Sequence, residues 1–195
     1  HRRRHFRRPA APVGLPRCKA VSAWQGPRAL QRATAFAPGS VGNVGIGFDI
    51  LGFAVDALGD RITVSRAARP GVQITGCSGV AVDLPLEAEK NTAGRALLAL
   101  NIAAKPAFGF ELHIDKGIPL GSGLGGSAAS AVGAVVAANA LLEHPFDKLS
   151  LLKFAMQGEA VASGSLHVDN IAPSLFGGLV LTVGIDHPRV KRIPV

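Results

Sequence analysis

A chain of 195 residues that is 48 % hydrophobic is long enough to bury one sizeable core. Its two cysteines, Cys18 and Cys77, are too few and too far apart for a disulfide framework or a metal cluster, which points to a reducing compartment. The formal charge of +8 invites a nucleic-acid reading, but His1 to Arg32 holds nine Lys and Arg with no acid, and the remainder has twelve basic against thirteen acidic residues, so the body offers no cationic surface for a phosphate backbone.

The first 32 residues combine irregularly spaced Pro and Gly, mutually repelling charges and no apolar periodicity, which predicts a disordered basic tail. No apolar stretch follows the arginines, so a secretory signal is excluded, while an organelle transit peptide and an RNA-binding arm stay open. Because the chain begins at His1, the expectation is a fragment whose first stretch is leader or mis-assigned sequence.

From Ala33 onward, strand-like and helical segments alternate. "ATAFA" is a short apolar run ended by Pro38, and "DRITVSRA" (60–67) and "GVQITG" (71–76) alternate as half-buried strands do. A helix is predicted from about Leu86 to Ala103, with Leu97, Leu98, Leu100 and Ile102 as its core stripe. "FGFELHID" (108–115) is another alternating strand; its His113 and Asp115 are expected to be a solvated pair, not metal ligands. A second helix spans roughly Ser127 to Leu142 and ends at Pro145, a third runs from Lys148 to Ala162 behind Asp147 as N-cap, and "GGLVLTVGI" closes as a strand. The stretch Ile118–Leu142 is uncharged and long enough for a bilayer, but Pro119 and four glycines break its first part, so its remainder is expected to be a buried core helix. The pattern is α+β.

Between the fourth predicted strand and the second helix stands "PLGSGLGGSAAS", residues 119–130. Glycines at such a junction let several backbone N–H groups aim at one point, where the helix N-terminus adds partial positive charge, and together they form an anion cradle. A tight turn whose glycines only permit close packing is the equal alternative from this stretch alone. The G-x-x-x-x-G-K-[ST] signature is absent, because the loop ends in Ser127 and Ala128, and G-x-G-x-x-G fits badly, although Gly121, Gly123 and Gly126 have its spacing.

The stretch resembles the P-x-x-x-G-L-G-S-S-A-A phosphate loop of the GHMP kinases. Two further stretches, "APGSVGNVGIGFDILGFAVD" (37–56) and "HVDNIAPSLFGG" (167–178), resemble the homoserine kinase branch of that family, and the three occur in the family's order. The resemblance implies the family's N-terminal α+β domain over 33–175, like the second domain of ribosomal protein S5, with a mixed sheet, helices on one face, and residues 176–195 opening a truncated second domain. It implies ATP, Mg²⁺ and transfer of a phosphoryl group to the side-chain hydroxyl of L-homoserine, on the route to threonine, by a cytoplasmic protein, or a plastid one if the tail is a transit peptide. No nucleic-acid or membrane partner is implied, and a homodimer is possible.

Residue by residue, the resemblance places ATP against Asn91, Pro119, Leu120, Gly121, Ser122, Gly123, Leu124, Gly125, Gly126, Ser127, Ala128 and Ala129. Mg²⁺ falls to Ser127 and Glu159, the acceptor to Asn43, Asp49 and Asn170, and the reacting hydroxyl to Asp169, with His167 a structural neighbour. Each has a plainer alternative: helix caps for Ser127 and Asn91, an exposed helix acid for Glu159, an Asx turn for Asp169, and loop turns for Asn43 and Asp49. Gly126 departs from the family, which has a serine there. The family's second domain carries basic residues that grip the acceptor carboxylate, so the 195-residue piece is expected to be poorly active alone. Another acceptor such as mevalonate, a non-catalytic binding module and an RNA-binding protein are the rival functions.

Overall fold

The computed structural model describes residues 30–163, 168–184 and 186–195. The predicted tail up to residue 29, with Cys18, and His167 lie outside the described residues. The elements run β1 (Arg32–Val41), β2 (Leu51–Ala67), β3 (Val72–Gly79), a short 3₁₀ turn (Ala88–Lys90), α1 (Thr92–Ala104), β4 (Gly109–Lys116), α2 (Gly126–Asn139), α3 (Lys148–Ser163), α4 (Ile171–Phe176), β5 (Leu179–Val183) and β6 (Arg189–Ile193).

All strands join one six-stranded sheet in the order β3-β4-β2-β5-β6, with β1 paired to β2 off that path. β3 and β4 are parallel, joined through α1, and every other pairing is antiparallel, so the sheet is mixed. Side-chain alternation decides which face is covered. Ile62 and Val64 of β2 and Phe110, Leu112 and Ile114 of β4 point to the helical side and are buried, while Arg61 and Glu111, on the opposite face, stay exposed. Fully burying one such large side chain contributes roughly 1.5–3 kcal/mol.

α2 lies between the sheet and the other two long helices, touching β1, β2 and β4 on one side and α1 and α3 on the other. A helix enclosed on both sides has no polar face, which explains its run of Ala, Val and Gly; a Cβ at Gly133 would overlap the Ile62 side chain. The uncharged stretch is therefore core, and among the described residues no helix is long and apolar enough to cross a membrane.

Four expectations need correction. Pro38 does not end β1, because it sits at a register shift in a strand with β2 as its sole partner, where a missing N–H is tolerated. β2 starts at Leu51, nine residues before the alternating run, so the strand is longer than the alternation at 60–67 predicts. The first long helix begins only at Thr92, and of its supposed stripe Leu97 and Leu100 are buried, Leu98 is half-buried and Ile102 faces solvent. α2 ends at Asn139, well before Pro145; the Asn139 amide then donates to and accepts from the Phe146 backbone, at 3.0 and 2.8 Å, and closes the turn into α3. The predicted N-cap of α3 is present, Asp147 accepting from the Ser150 N–H at 2.8 Å.

Candidate active site

The glycine segment leaves β4 at Lys116 and enters α2 at Gly126, so a strand feeds a loop that ends at a helix N-terminus. Gly121, Gly123 and Gly125 take positive φ, and open space lies where side chains would stand on the first two. Gly125 occupies the N-cap in left-handed conformation and has no side chain to cover the first-turn amides. A side chain could not replace it: its Cβ would overlap the Ser40 hydroxyl and lie 2.9 Å from Asn170 Oδ1. Ala128 and Ala129 are fully buried and serve the core, so of this segment the exposed part is Pro119 to Gly123.

Asn170 stands at the N-cap position of α4, but its side chain makes no capping hydrogen bond there. It lies under the loop, where Ser40 Oγ donates to its backbone oxygen at 2.9 Å and to its Oδ1 at 3.1 Å, and the Ser40 N–H donates to the Leu124 carbonyl at 3.0 Å. Its neighbour Asp169 is 2 % exposed and accepts the Asn43 N–H at 2.9 Å. Asn43 Oδ1 in turn accepts the Asp49 N–H at 2.9 Å, and both Asn43 and Asp49 have positive φ. The early loop is thus folded around Asp169, and a Cβ at Gly42 would overlap the Asp169 carboxylate.

Ser127 is not a helix cap. Its hydroxyl donates to Glu159 Oε1 at 2.9 Å, joining α2 to α3 at the mouth of the loop. Glu159 is half-buried rather than an exposed helix acid. A hydroxyl and a carboxylate at this spacing are hard oxygen donors, the kind Mg²⁺ takes alongside phosphate oxygens and water. No group of three or more His, Cys, Asp or Glu side chains that could hold a metal alone occurs among the described residues.

Asn91 caps α1, accepting the Ala93 and Gly94 N–H groups at 3.0 and 3.3 Å and donating to the Pro85 carbonyl at 2.9 Å. It also lines a cavity of about 220 Å³ shared with Lys90, Leu120 and Ser127, so capping and lining coincide at one residue. The predicted pair His113 and Asp115 is bridged by Ser78, whose hydroxyl lies 3.1 Å from His113 Nε2 and donates to Asp115 Oδ1 at 3.2 Å. Nearby, burial pushes the Cys77 thiol above its ordinary value, and Lys116 opposes this only in part.

Sequence reasoning passed over Ser40, Asp60, Lys116 and Ser130. Lys116 Nζ donates to Asp60 Oδ2, to the Gly126 carbonyl at 2.8 Å and to Ser130 Oγ at 3.0 Å, while Asp60 Oδ1 accepts the Gly117 and Ile118 N–H groups at 3.1 and 3.2 Å. The available signal was a lysine ending an apolar strand directly before a glycine loop; its partner, 56 residues earlier, has no local mark.

Residues 91–178 match the family model of the GHMP kinases N terminal domain. The chain is 58 % identical over 154 residues to a homoserine kinase of Xanthomonas campestris pv. campestris, covering 79 % of this chain and 48 % of that protein. A homoserine kinase of Methanococcus vannielii is 40 % identical over 166 residues, covering 85 % and 55 %. Among solved structures, homoserine kinase from Cytophaga hutchinsonii superposes with a TM-score of 0.81 at 43 % identity, covering 88 % of this chain and 55 % of that one. Methanococcus jannaschii mevalonate kinase, 17 % identical with a TM-score of 0.64 and covering 87 % and 57 %, shares the fold. The chain spans about half the length of the curated relatives it matches. Its mixed sheet with helices on one face, its glycine loop and these matches together make it a member of the GHMP kinase family, carrying that family's N-terminal domain.

Proposed function

We propose that this chain carries the nucleotide- and acceptor-binding part of a kinase that transfers the γ-phosphoryl group of ATP to the side-chain hydroxyl of L-homoserine, giving O-phospho-L-homoserine. The observation that carries the reading is the contact between the glycine loop and the Asp169–Asn170 pair: Asn170 packs under Gly125, so phosphates over the loop and an alcohol at Asp169 would share one hollow. High identity to proteins named homoserine kinase supports the choice of acceptor over mevalonate.

In this reading the Gly121–Ser127 amides and the start of α2 take the phosphates, while Asn91 and Leu120 line the space for the rest of the nucleotide. Ser127 and Glu159 are the residues that would hold Mg²⁺, which supplies charge neutralisation between the phosphates. Asp169, held by the Asn43 N–H, orients the acceptor hydroxyl and receives its proton late, since a loose transition state asks little of a base. Asn43, Asp49 and Asn170 wall the acceptor side. We assign the domain to residues 33–175 and the protein to the cytoplasm.

Isothermal titration of the chain with Mg-ATP, followed by saturation-transfer NMR with L-homoserine and mevalonate in competition, tests this. Nucleotide binding that Ser127→Ala or Glu159→Gln weakens at least ~10-fold, with homoserine preferred, is the expected result. A folded chain that binds no Mg-ATP, or that prefers mevalonate, overturns it.

A further inference from the structure

Beneath the glycine loop lies a charged pair to which the proposed chemistry gives no step, although Lys116 and Ser130 line the same cavity as Asn91, Leu120 and Ser127. Asp60, on β2, is 0 % exposed, Lys116, at the end of β4, is 3 % exposed, and Ser130, on α2, is 2 % exposed. A buried ion pair is weak evidence for stability, because well-packed apolar residues often serve as well or better. Its hydrogen bonds show what it holds instead.

One carboxylate oxygen of Asp60 accepts the Gly117 and Ile118 N–H groups, where the chain enters the loop. The other accepts from Lys116 Nζ and, at 2.7 Å, from the Ser130 hydroxyl. Lys116 carries the link across, since one of its three donors goes to the Gly126 carbonyl, where the chain leaves the loop and α2 begins. The remaining two go to Asp60 and Ser130, so all three ammonium donors are engaged inside the protein. Lys116 therefore ties the loop from beneath at the wall of that cavity, and the exposed glycine stretch from 121 to 123 is left to backbone amides.

We propose that Asp60, through its ion pair with Lys116, is the positioning group that fixes the entrance and exit of the glycine loop at the spacing that lets its amides converge on a nucleotide's phosphates. This rests on reading the loop as a phosphate cradle. Neither side chain is a catalytic residue; both act through the main chain of 117, 118 and 126.

The test separates folding from positioning. The double variant Asp60→Asn with Lys116→Met removes both charges at similar volume, leaving no buried unpaired ion, but it also removes the donor to the Gly126 carbonyl. Thermal unfolding of this variant should return close to that of the unsubstituted chain, above either single variant, while its affinity for Mg-ATP stays about tenfold lower. A double variant that folds and binds Mg-ATP as tightly as the unsubstituted chain overturns the proposal.

Hydrogen exchange on the unsubstituted chain gives a second, folding-independent test. The Gly117 and Ile118 amides should already exchange slowly without nucleotide, and those of Gly121 and Gly123 should slow only when Mg-ATP is added. Fast exchange at 117 and 118 without nucleotide overturns the proposal too. If instead the unsubstituted chain shows slow exchange at 117 and 118 but binds no Mg-ATP, the kinase reading fails, and the positioning role falls with it, while the anchoring of the loop stands.

Discussion

Gly42 and Gly71 separate two reasons a position demands glycine. Gly71 lies in the turn between β2 and β3 with φ +107° and open space around it, so its constraint is the backbone alone. Gly42 has ordinary φ, and its constraint is the Asp169 carboxylate, which occupies the volume a Cβ would need. Gly42→Ala should therefore push Asp169 off the Asn43 N–H and lower affinity for L-homoserine at least ~10-fold, together with a stability loss of about 1–3 kcal/mol. Gly71→Ala should cost about 1–2 kcal/mol from its left-handed backbone and leave homoserine binding unchanged. Thermal unfolding and homoserine titration of the two variants check this; equal effects on binding would show that Gly42 matters only through general destabilisation.

At the scale of the element, α3 depends on its first turn. Asp147 accepts the Ser150 N–H, and that backbone hydrogen bond holds its carboxyl below the ordinary carboxylate range. A folded-state value below the unfolded one means the stabilisation is complete above the ordinary range and disappears as pH falls through the lowered folded value. Asp147→Asn should thus unfold at a lower temperature than the unsubstituted chain at pH 7, and the difference should vanish in strong acid, where the aspartate is neutral too. A gap that persists there would place the effect elsewhere than in the carboxylate's charge. Asp147 was legible from sequence because a cap acts over three residues, and the alternation in β3 and β4 was legible for the same local reason. The start of β2 was not, since Leu51 and Gly52 become strand by pairing with Leu181 and Val180 far along the chain. α4 and β6 were missed as well, being short and without their own periodicity. The site divides in the same way: its glycine loop and the Asp169–Asn170 pair were visible as motifs, whereas Ser40 and the Asp60–Lys116 pair have roles set by partners 130 and 56 residues distant.

For the whole molecule, charge is distributed as if two different polymers were joined. Residues 1–29 hold eight Lys and Arg and no acid, and residues 30–195 hold thirteen basic and thirteen acidic residues, so the second part is formally neutral. Backbone phosphates of a nucleic acid are attracted by cation density, and the neutral part offers none beyond local clusters such as Arg189, Lys191 and Arg192 on β6. A small-molecule site built from backbone amides does not need that density, because its field comes from the loop and the helix start at contact distance. The two properties should therefore come apart on deletion. The full chain should retain single-stranded RNA at low salt, with a log–log salt slope no steeper than about −6 if all eight cations engage phosphates. A chain starting at residue 30 should lose that retention and bind Mg-ATP with unchanged affinity. RNA retention by residues 30–195 with the slope preserved would move nucleic-acid binding into the folded body, and with it the reading of the glycine loop as a site for a mononucleotide.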